Sequence, residues 1–180
     1  MKKNSRAYRK TAASKENGFR ILLAYLGNAS IFREAHTHGA NMKISTRGRY
    51  ALRFMIDLAQ HDNGEYIALK DISQRQEISV KYLEQITALL SKFGLLTSVR
   101  GPQGGYKLSK KPADYKIGEI LHITEGSLAP VACLDGPENF CPKKDICQTL
   151  PMWKKLNDTI ANFMSGITLE DLVTGKLNEL

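Results

Sequence analysis

Ser79-Val80-Lys81-Tyr82-Leu83-Glu84-Gln85-Ile86-Thr87-Ala88-Leu89-Leu90-Ser91-Lys92-Phe93-Gly94 is followed by Leu95-Leu96-Thr97-Ser98-Val99, then Arg100-Gly101-Pro102-Gln103-Gly104-Gly105, then Tyr106-Lys107-Leu108. Val80, Leu83, Ile86, Leu89, Leu90 and Phe93 recur at the three- and four-residue spacing of an inward helix face. Ser79 is placed to cap that helix, because its hydroxyl can accept from an amide of the first turn. Gly94 stops it. Leu95 to Val99 is β-prone through its Thr and Val, Arg100 to Gly105 is turn chemistry, and Tyr106 to Leu108 is a second strand. The stretch predicts a capped helix followed by a β-hairpin wing with a glycine-rich tip.

Toward the N-terminus, Tyr50, Ala51, Phe54, Met55, Leu58 and Ala59 form another helical stripe. Thr46 or Ser45 can cap it, and Asp62-Asn63-Gly64 ends it. A short helix from Leu69 to Gln76 turns Ile72 inward, and Glu77-Ile78 makes the tight turn into the capped helix. Helix, turn, capped helix and wing, in that order, are a winged helix-turn-helix. Lys110-Lys111-Pro112 closes the unit. Beyond it, Ile117 to Glu125 predicts a short helix with Ile117, Ile120, Leu121 and Thr124 on one side. Residues 126–149 are loop-like. Leu150 to Met164 returns to helical period, Gly166 breaks it, and Thr168 caps a last helix carrying Leu169, Leu172 and Val173. The fold class is mainly α with a small β-hairpin.

The 180-residue chain is 42% hydrophobic and 24% charged, which is globular composition. The longest apolar run, Ile21 to Leu26, is far short of the roughly 20 residues a membrane-spanning helix needs. Three cysteines are too few for a secreted disulfide scaffold. Net charge is +8, made of +6 in residues 1–41, +6 in 42–111 and −4 in 112–180. A basic front and an acidic back suit a polyanion-binding unit joined to a differently employed one. Residues 1–41 are expected to be a poorly ordered basic leader lying upstream of a natural start at Met42, with His36 and His38 as solvated loop histidines.

The residues left outward define a candidate DNA-binding surface. Ser79, Lys81, Tyr82 and Gln85 stand near the start of the second helix of the motif, beside Glu84. Lys43, Thr46, Arg47 and Arg49 stand at the start of the first. The wing adds Arg100, the backbone of Gly101, Gly104 and Gly105, and Tyr106. Cations and amides can hold phosphates, while Gln and Tyr can reach base edges in a groove. The glycine run is not a phosphate-binding P-loop, since the lysine and hydroxyl of that motif are missing. No G-x-S-x-G, H-E-x-x-H or GxGxxG motif occurs, and His61 and His122 read as helix-end and helix-face residues, so no enzyme is expected.

Cys133, Cys141 and Cys147 fall within 15 residues, separated by seven and five. They sit in a polar Gly/Pro loop rather than on an apolar stripe, so a joint role is expected. Three thiolates supply most of an iron–sulfur cluster's ligands or of a zinc site's, and two of them could form a redox disulfide. Zinc sites usually show CxxC pairs, which are missing here. Lys143 and Lys144 would favour the thiolates.

Met42-Lys43-Ile44-Ser45-Thr46-Arg47-Gly48-Arg49-Tyr50-Ala51-Leu52, Ile78-Ser79-Val80-Lys81-Tyr82-Leu83-Glu84-Gln85, Ser98-Val99-Arg100-Gly101-Pro102-Gln103-Gly104-Gly105-Tyr106 and Ile167-Thr168-Leu169-Glu170-Asp171-Leu172 together resemble the IscR-type iron–sulfur cluster regulators, a winged-helix group with NsrR-type and CymR-type relatives. The resemblance spans about residues 42–175. It implies a homodimeric, cytoplasmic transcription regulator, a repressor of iron–sulfur assembly or related genes. The helix at 150–164 would pair between subunits, so that two recognition helices meet a pseudo-palindromic operator in double-stranded DNA. No membrane partner is implied. It implies a [2Fe–2S] cluster, favoured over [4Fe–4S], with Cys133, Cys141 and Cys147 as metal ligands. CymR-type proteins lack this cysteine triplet.

Two features depart from the pattern, the first cysteine spacing, which is shorter in IscR-type proteins, and the fourth ligand. The seven-residue first spacing also occurs in NsrR-type nitric-oxide sensors. Leu150 stands where IscR-type proteins have a ligating histidine, and Arg49 where NsrR-type proteins have a ligating carboxylate. The fourth ligand is thus open among Asp135, Glu138, Asp145, a water or an external thiol. The alternatives are a cluster-free thiol, redox or cysteine-metabolism regulator and a nitric-oxide-sensing [4Fe–4S] regulator. The expected organisation is a leader at 1–41, a winged helix-turn-helix DNA-binding domain at 42–111, a linker helix and cluster loop at 112–149, and a dimerisation helix with a C-terminal helix at 150–180.

Overall fold

The computed structural model describes residues 43–101 and 103–179. The expectations placed on residues 1–41, His36 and His38 among them, and on a start at Met42 lie outside the described residues. Helix α1 spans Thr46–Gln60, and its N-cap is Ser45, whose Oγ accepts from Gly48 N–H at 3.3 Å. Ala51, Phe54, Met55 and Leu58 are buried as the spacing predicts. Asp57 is buried with them, which the apolar pattern did not reveal. The helix ends before Asp62 and Asn63, whose carboxylate and amide oxygens accept from Gly64 N–H and Glu65 N–H.

Helix α2 (Leu69–Gln76) turns Ile72 into the core. Glu77 then takes a left-handed conformation with φ 55°, and Ser73 Oγ donates to Ile78 carbonyl oxygen at 2.6 Å across that turn. Helix α3 (Val80–Lys92) begins at Ser79, whose Oγ accepts from Tyr82 N–H. Leu83, Ile86 and Leu90 are buried, and Leu89 and Phe93 are half-buried. Val80 corrects the predicted inward face. As the first helical residue it lies past the end of the packed stripe and is exposed. Thr87 takes an inward place instead, its hydroxyl donating to the Glu84 carbonyl.

Strands β1 (Leu96–Val99) and β2 (Gly105–Leu108) pair antiparallel, with Leu96 opposite Leu108 and Val99 opposite Gly105. Leu96 and Leu108 anchor the wing in the core, and Val99 near its tip is exposed. Tyr106 exchanges backbone hydrogen bonds with Ile67 at 2.9 and 3.0 Å, so a third segment braces the hairpin. Gly105 permits this approach: a Cβ there would fall 2.2 Å from the Ile67 carbonyl oxygen. Tyr115, fully buried, donates its hydroxyl to Leu95 carbonyl oxygen and accepts from Lys110 N–H, pinning the base of the wing.

Helix α4 (Ile117–Glu125) buries Ile117, Ile120, Leu121 and Thr124, the four residues its spacing predicts, in the core that holds α1 and α3. Helix α5 (Leu150–Gly166) runs two residues past the predicted Met164 and extends about 25 Å. It buries none of its residues. Helix α6 (Leu169–Thr174) starts with a capping box in which Thr168 and Asp171 satisfy each other's backbone amides. Ile117 N–H donates to the Ile167 carbonyl and Leu169 N–H to the Tyr115 carbonyl, which returns the C-terminal segment to the core. No helix among the described residues is long and apolar enough to cross a membrane.

Candidate nucleic-acid interface and cysteine loop

The starts of α1 and α3 are held side by side by aromatic contact. Tyr82, in the first turn of α3, meets Tyr50 of α1 edge-on, with ring centroids 5.7 Å apart and planes at 83°. Such pairs add roughly 0.5–1.5 kcal/mol beyond simple burial. The Arg53 guanidinium lies over the same Tyr50 ring, 5.5 Å from its centroid, and its Nε donates to Gln76 Oε1 at 3.1 Å. Tyr106 of the wing packs edge-on against Phe54 at 6.2 Å. Two separate aromatic contacts therefore tie α1 to α3 and α1 to the wing, the three elements that carry the candidate DNA contacts.

Lys43, Thr46, Arg47, Arg49, Ser79, Lys81, Gln85, Arg100 and Gly101 are exposed. Among the described residues, Lys43, Arg47, Arg49, Lys81 and Arg100 form no ion pair. Arg49 donates to Thr46 Oγ1 at 3.1 Å, which keeps its guanidinium over the helix start. Tyr82 and Tyr106 are half-buried, each with its ring committed to an internal contact. Gly104 is half-buried and its N–H closes the tip by donating to Gly101 carbonyl oxygen at 2.9 Å. Gly105 is buried, so the close approach its missing side chain allows is to Ile67.

Asp57 braces this surface from behind. Its carboxylate accepts from Arg75 Nη2 at 2.6 Å, from Arg75 Nε at 3.1 Å and from Gln76 Nε2 at 2.8 Å. Burial alone would raise its pKa; the hydrogen bonds from Arg75 and Gln76 and the Arg75 charge outweigh burial and hold the carboxyl below its ordinary value. Glu125, the last residue of α4, accepts from Ser45 Oγ at 2.8 Å and from Ser45 N–H at 3.2 Å. Neither Asp57 nor Glu125 is apparent in the sequence as a site residue. The one signal for Glu125 is Gly48, an odd choice for a first helical turn, where a Cβ would fall 2.3 Å from Glu125 Oε1.

The cysteine loop follows Glu125 directly. Cys133, Cys141 and Cys147 are free thiols, each partly exposed. Cys133 and Cys141 line one depression of about 450 Å³ together with Asp135, Glu138 and Phe140. Cys147 is not among the residues that line it, and its Sγ is 3.4 Å from Thr149 Oγ1. Hydrogen bonds from the Thr149 side chain and backbone hold the Cys147 thiol below the ordinary cysteine range. Among the described residues no three His, Cys, Asp or Glu side chains gather into a metal-binding group.

The chemistry of this loop nevertheless fits an iron–sulfur group. Three unpaired thiols are present, and Asn139, whose Oδ1 accepts from Cys141 N–H at 2.9 Å, has a buried Nδ2 with no hydrogen-bond partner among the described residues. An anionic sulfur centre beside Cys141 would give that amide an acceptor. Asp135 is engaged by Ser127 Oγ at 2.8 Å, whereas Glu138 and Asp145 make no hydrogen bond or ion pair among the described residues.

A helix-turn-helix with a braced wing and a row of unpaired cations defines a DNA-binding regulator of transcription. Residues 44–175 match the family described as Rrf2, iron-dependent transcriptional regulator, and the chain belongs to that family. It is 39% identical over 132 residues to the protein rrf2 of Nitratidesulfovibrio vulgaris, covering 73% of this chain and 87% of that one. It is 41% identical over 135 residues to the HTH-type transcriptional regulator IscR of Pectobacterium atrosepticum, covering 75% and 81%. Its fold is similar to CymR, the global cysteine regulator of B. subtilis, with a TM-score of 0.62 at 34% identity over 73% of this chain and 96% of that one.

Proposed function

We propose that the chain works as a homodimeric, cytoplasmic repressor of iron–sulfur assembly or related genes, and that the iron status of its cysteine loop sets its affinity for DNA. The observation that carries this reading is the conjunction, in one chain, of unpaired cations at the starts of α1 and α3 and three free thiols in the loop that follows α4. Lys81 and Gln85 reach into a major groove, with Gln85 reading a base edge and Lys81 a phosphate. Lys43, Arg47 and Arg49 hold the flanking backbone. Arg100 and the glycine tip meet a neighbouring phosphate or the minor groove. Helix α5, which buries none of its own residues, pairs with its counterpart and sets two recognition helices on a pseudo-palindromic operator.

Cys133, Cys141 and Cys147 hold the cluster, with [2Fe–2S] favoured over [4Fe–4S], and Lys143 and Lys144 stabilise the thiolates. When bound, such a cluster supplies a redox-active anionic centre that oxygen can remove. Because the three thiols do not gather into one metal-binding group among the described residues, the loop must rearrange for all three to ligate. Anaerobic purification with iron and sulfide analysis tests this reading. A brown protein that loses its colour on Cys141→Ala supports it, and a colourless, iron-free protein after reconstitution refutes it.

A second reading is favoured by one observation. Hydrogen bonds to Thr149 lower the Cys147 thiol pKa without any metal, which suits a cluster-free thiol regulator of redox state or cysteine metabolism. Loss of DNA binding on mild oxidation of iron-free protein, restored by dithiothreitol, would select this reading.

A further inference from the structure

We propose that Glu125 is the positioning residue that ties the cysteine loop to the DNA-reading end of α1; this link rests on the regulator reading above. Both carboxylate oxygens of Glu125 engage Ser45, the N-cap of α1, eighty positions away in the chain. The next residues are Thr46, Arg47, Gly48 and Arg49, so the carboxylate grips the helix at the turn that displays its cations. Among the described residues Glu125 has no cationic partner. Among the described residues its only polar anchors are at the start of α1.

On its other side Glu125 leads straight into the loop. Gly126 turns the chain with φ 81°, and Ser127 Oγ donates to Asp135, two residues beyond Cys133. A displacement of Cys133 thus reaches Ser45 through Asp135, Ser127 and one helix end, without crossing the apolar core. A Cβ at position 48 would lie 2.3 Å from Glu125 Oε1 and 3.0 Å from Ile44 Cγ2, so a side chain there must displace the carboxylate. A carboxylate at a helix N-terminus is also electrostatically matched to it.

The test uses full-length protein purified anaerobically and a duplex selected by the wild-type protein from a random-sequence pool. Affinity is measured after reconstitution with ferrous iron and sulfide and after stripping with chelator, and the readout is the ratio of the two. A coupling of ordinary size gives the wild type a ratio of roughly 5–150. Glu125→Ala is expected to bring it within about twofold of unity. Glu125→Gln, whose carbonyl still accepts from the Ser45 hydroxyl, is expected to keep much of it. Gly48→Ala, which drives the carboxylate out while leaving it in the chain, is expected to match Glu125→Ala, and decides the matter if that variant does not fold.

A merely structural role would weaken both affinities alike and keep the ratio, and that result overturns the proposal. Hydrogen exchange separates it from the iron reading. In metal-free protein, alkylation of the thiols is expected to change exchange at residues 45–48 in the wild type and not in Glu125→Ala. If the wild-type affinity ratio is unity while this exchange response persists, the iron reading fails and the link stands. If alkylation leaves exchange at 45–48 unaltered in the wild type, the link fails.

Discussion

Asp57 and Arg75 form a two-point ion pair between α1 and α2, with Nη2 to Oδ1 at 2.6 Å and Nε to Oδ2 at 3.1 Å. The carboxylate is fully buried and the guanidinium side chain is a third exposed, at 33%. The pair therefore fixes the angle at which α2 meets α1, and through the Glu77 turn the placement of α3.

Removing the carboxylate leaves the Arg75 guanidinium without its counter-charge. Asp57→Ala is expected to cost about 2–3 kcal/mol, at or just under the usual range for breaking a buried pair because Arg75 keeps some water. The pH dependence has a definite sign. The folded-state pKa of Asp57 is depressed, so its contribution is present above the unfolded value near ~3.9 and fades as pH falls through the folded value. Urea denaturation at neutral pH and at successively lower pH checks this: the gap between wild type and Asp57→Asn should shrink in acid.

Lys81 and Arg100 are exposed and unpaired among the described residues, as phosphate contacts should be. Lys81→Ala and Arg100→Ala should each weaken binding about equally for all sequences and lower the salt slope by about one. Gln85→Ala should instead relax preference at one base pair, by about 1–3 kcal/mol. Fluorescence anisotropy across a salt series with a panel of single-base variants separates the two. Equal effects of all three substitutions would contradict the division of labour.

The elements of this fold were legible because their signals are local. Ser79 caps the helix it precedes, Ile72 faces inward at its helical position, and Ile117, Ile120, Leu121 and Thr124 are all buried. What stayed hidden depends on partners distant in the chain. Asp57 carries no local signal, because its burial depends on Arg75 and Gln76 of another helix. Tyr115 carries none either, because its hydroxyl is met by Leu95 and Lys110. Val80 misled because helical spacing says which residues share a face but not where the neighbouring helix ends. The cysteine spacing marked the loop but could not reveal which thiols share a depression: Cys133 and Cys141 line one, and Cys147 does not.

Thr149 activates Cys147 through its hydroxyl, 3.4 Å from the sulfur. Alkylation of metal-free protein, followed residue by residue by mass spectrometry across pH, should show Cys147 modified below the usual cysteine range. Thr149→Val should move its profile upward, because the thiolate loses its donor. An unshifted profile would remove Thr149 as the cause.

Helix α5 leaves Met152 and Phe163 exposed at 55% and 59% and buries none of its residues. An apolar face of that kind calls for a partner. Ile160 lies one turn before Phe163 and is half-buried; Ile160→Asp should yield a monomer in sedimentation equilibrium and abolish tight operator binding, since one recognition helix alone reads only a half-site. A dimer that survives Ile160→Asp would place the interface elsewhere.

The central claim is that iron held by Cys133, Cys141 and Cys147 sets the grip of α3 and the wing on DNA. Operator affinity of one anaerobic preparation, measured with its iron and sulfide in place and after chelation, tests this most directly when run beside the triple Cys→Ala variant. The account predicts a wild-type change of at least about fivefold that the variant does not show. Equal affinities in both wild-type states, matched by the variant, would contradict it.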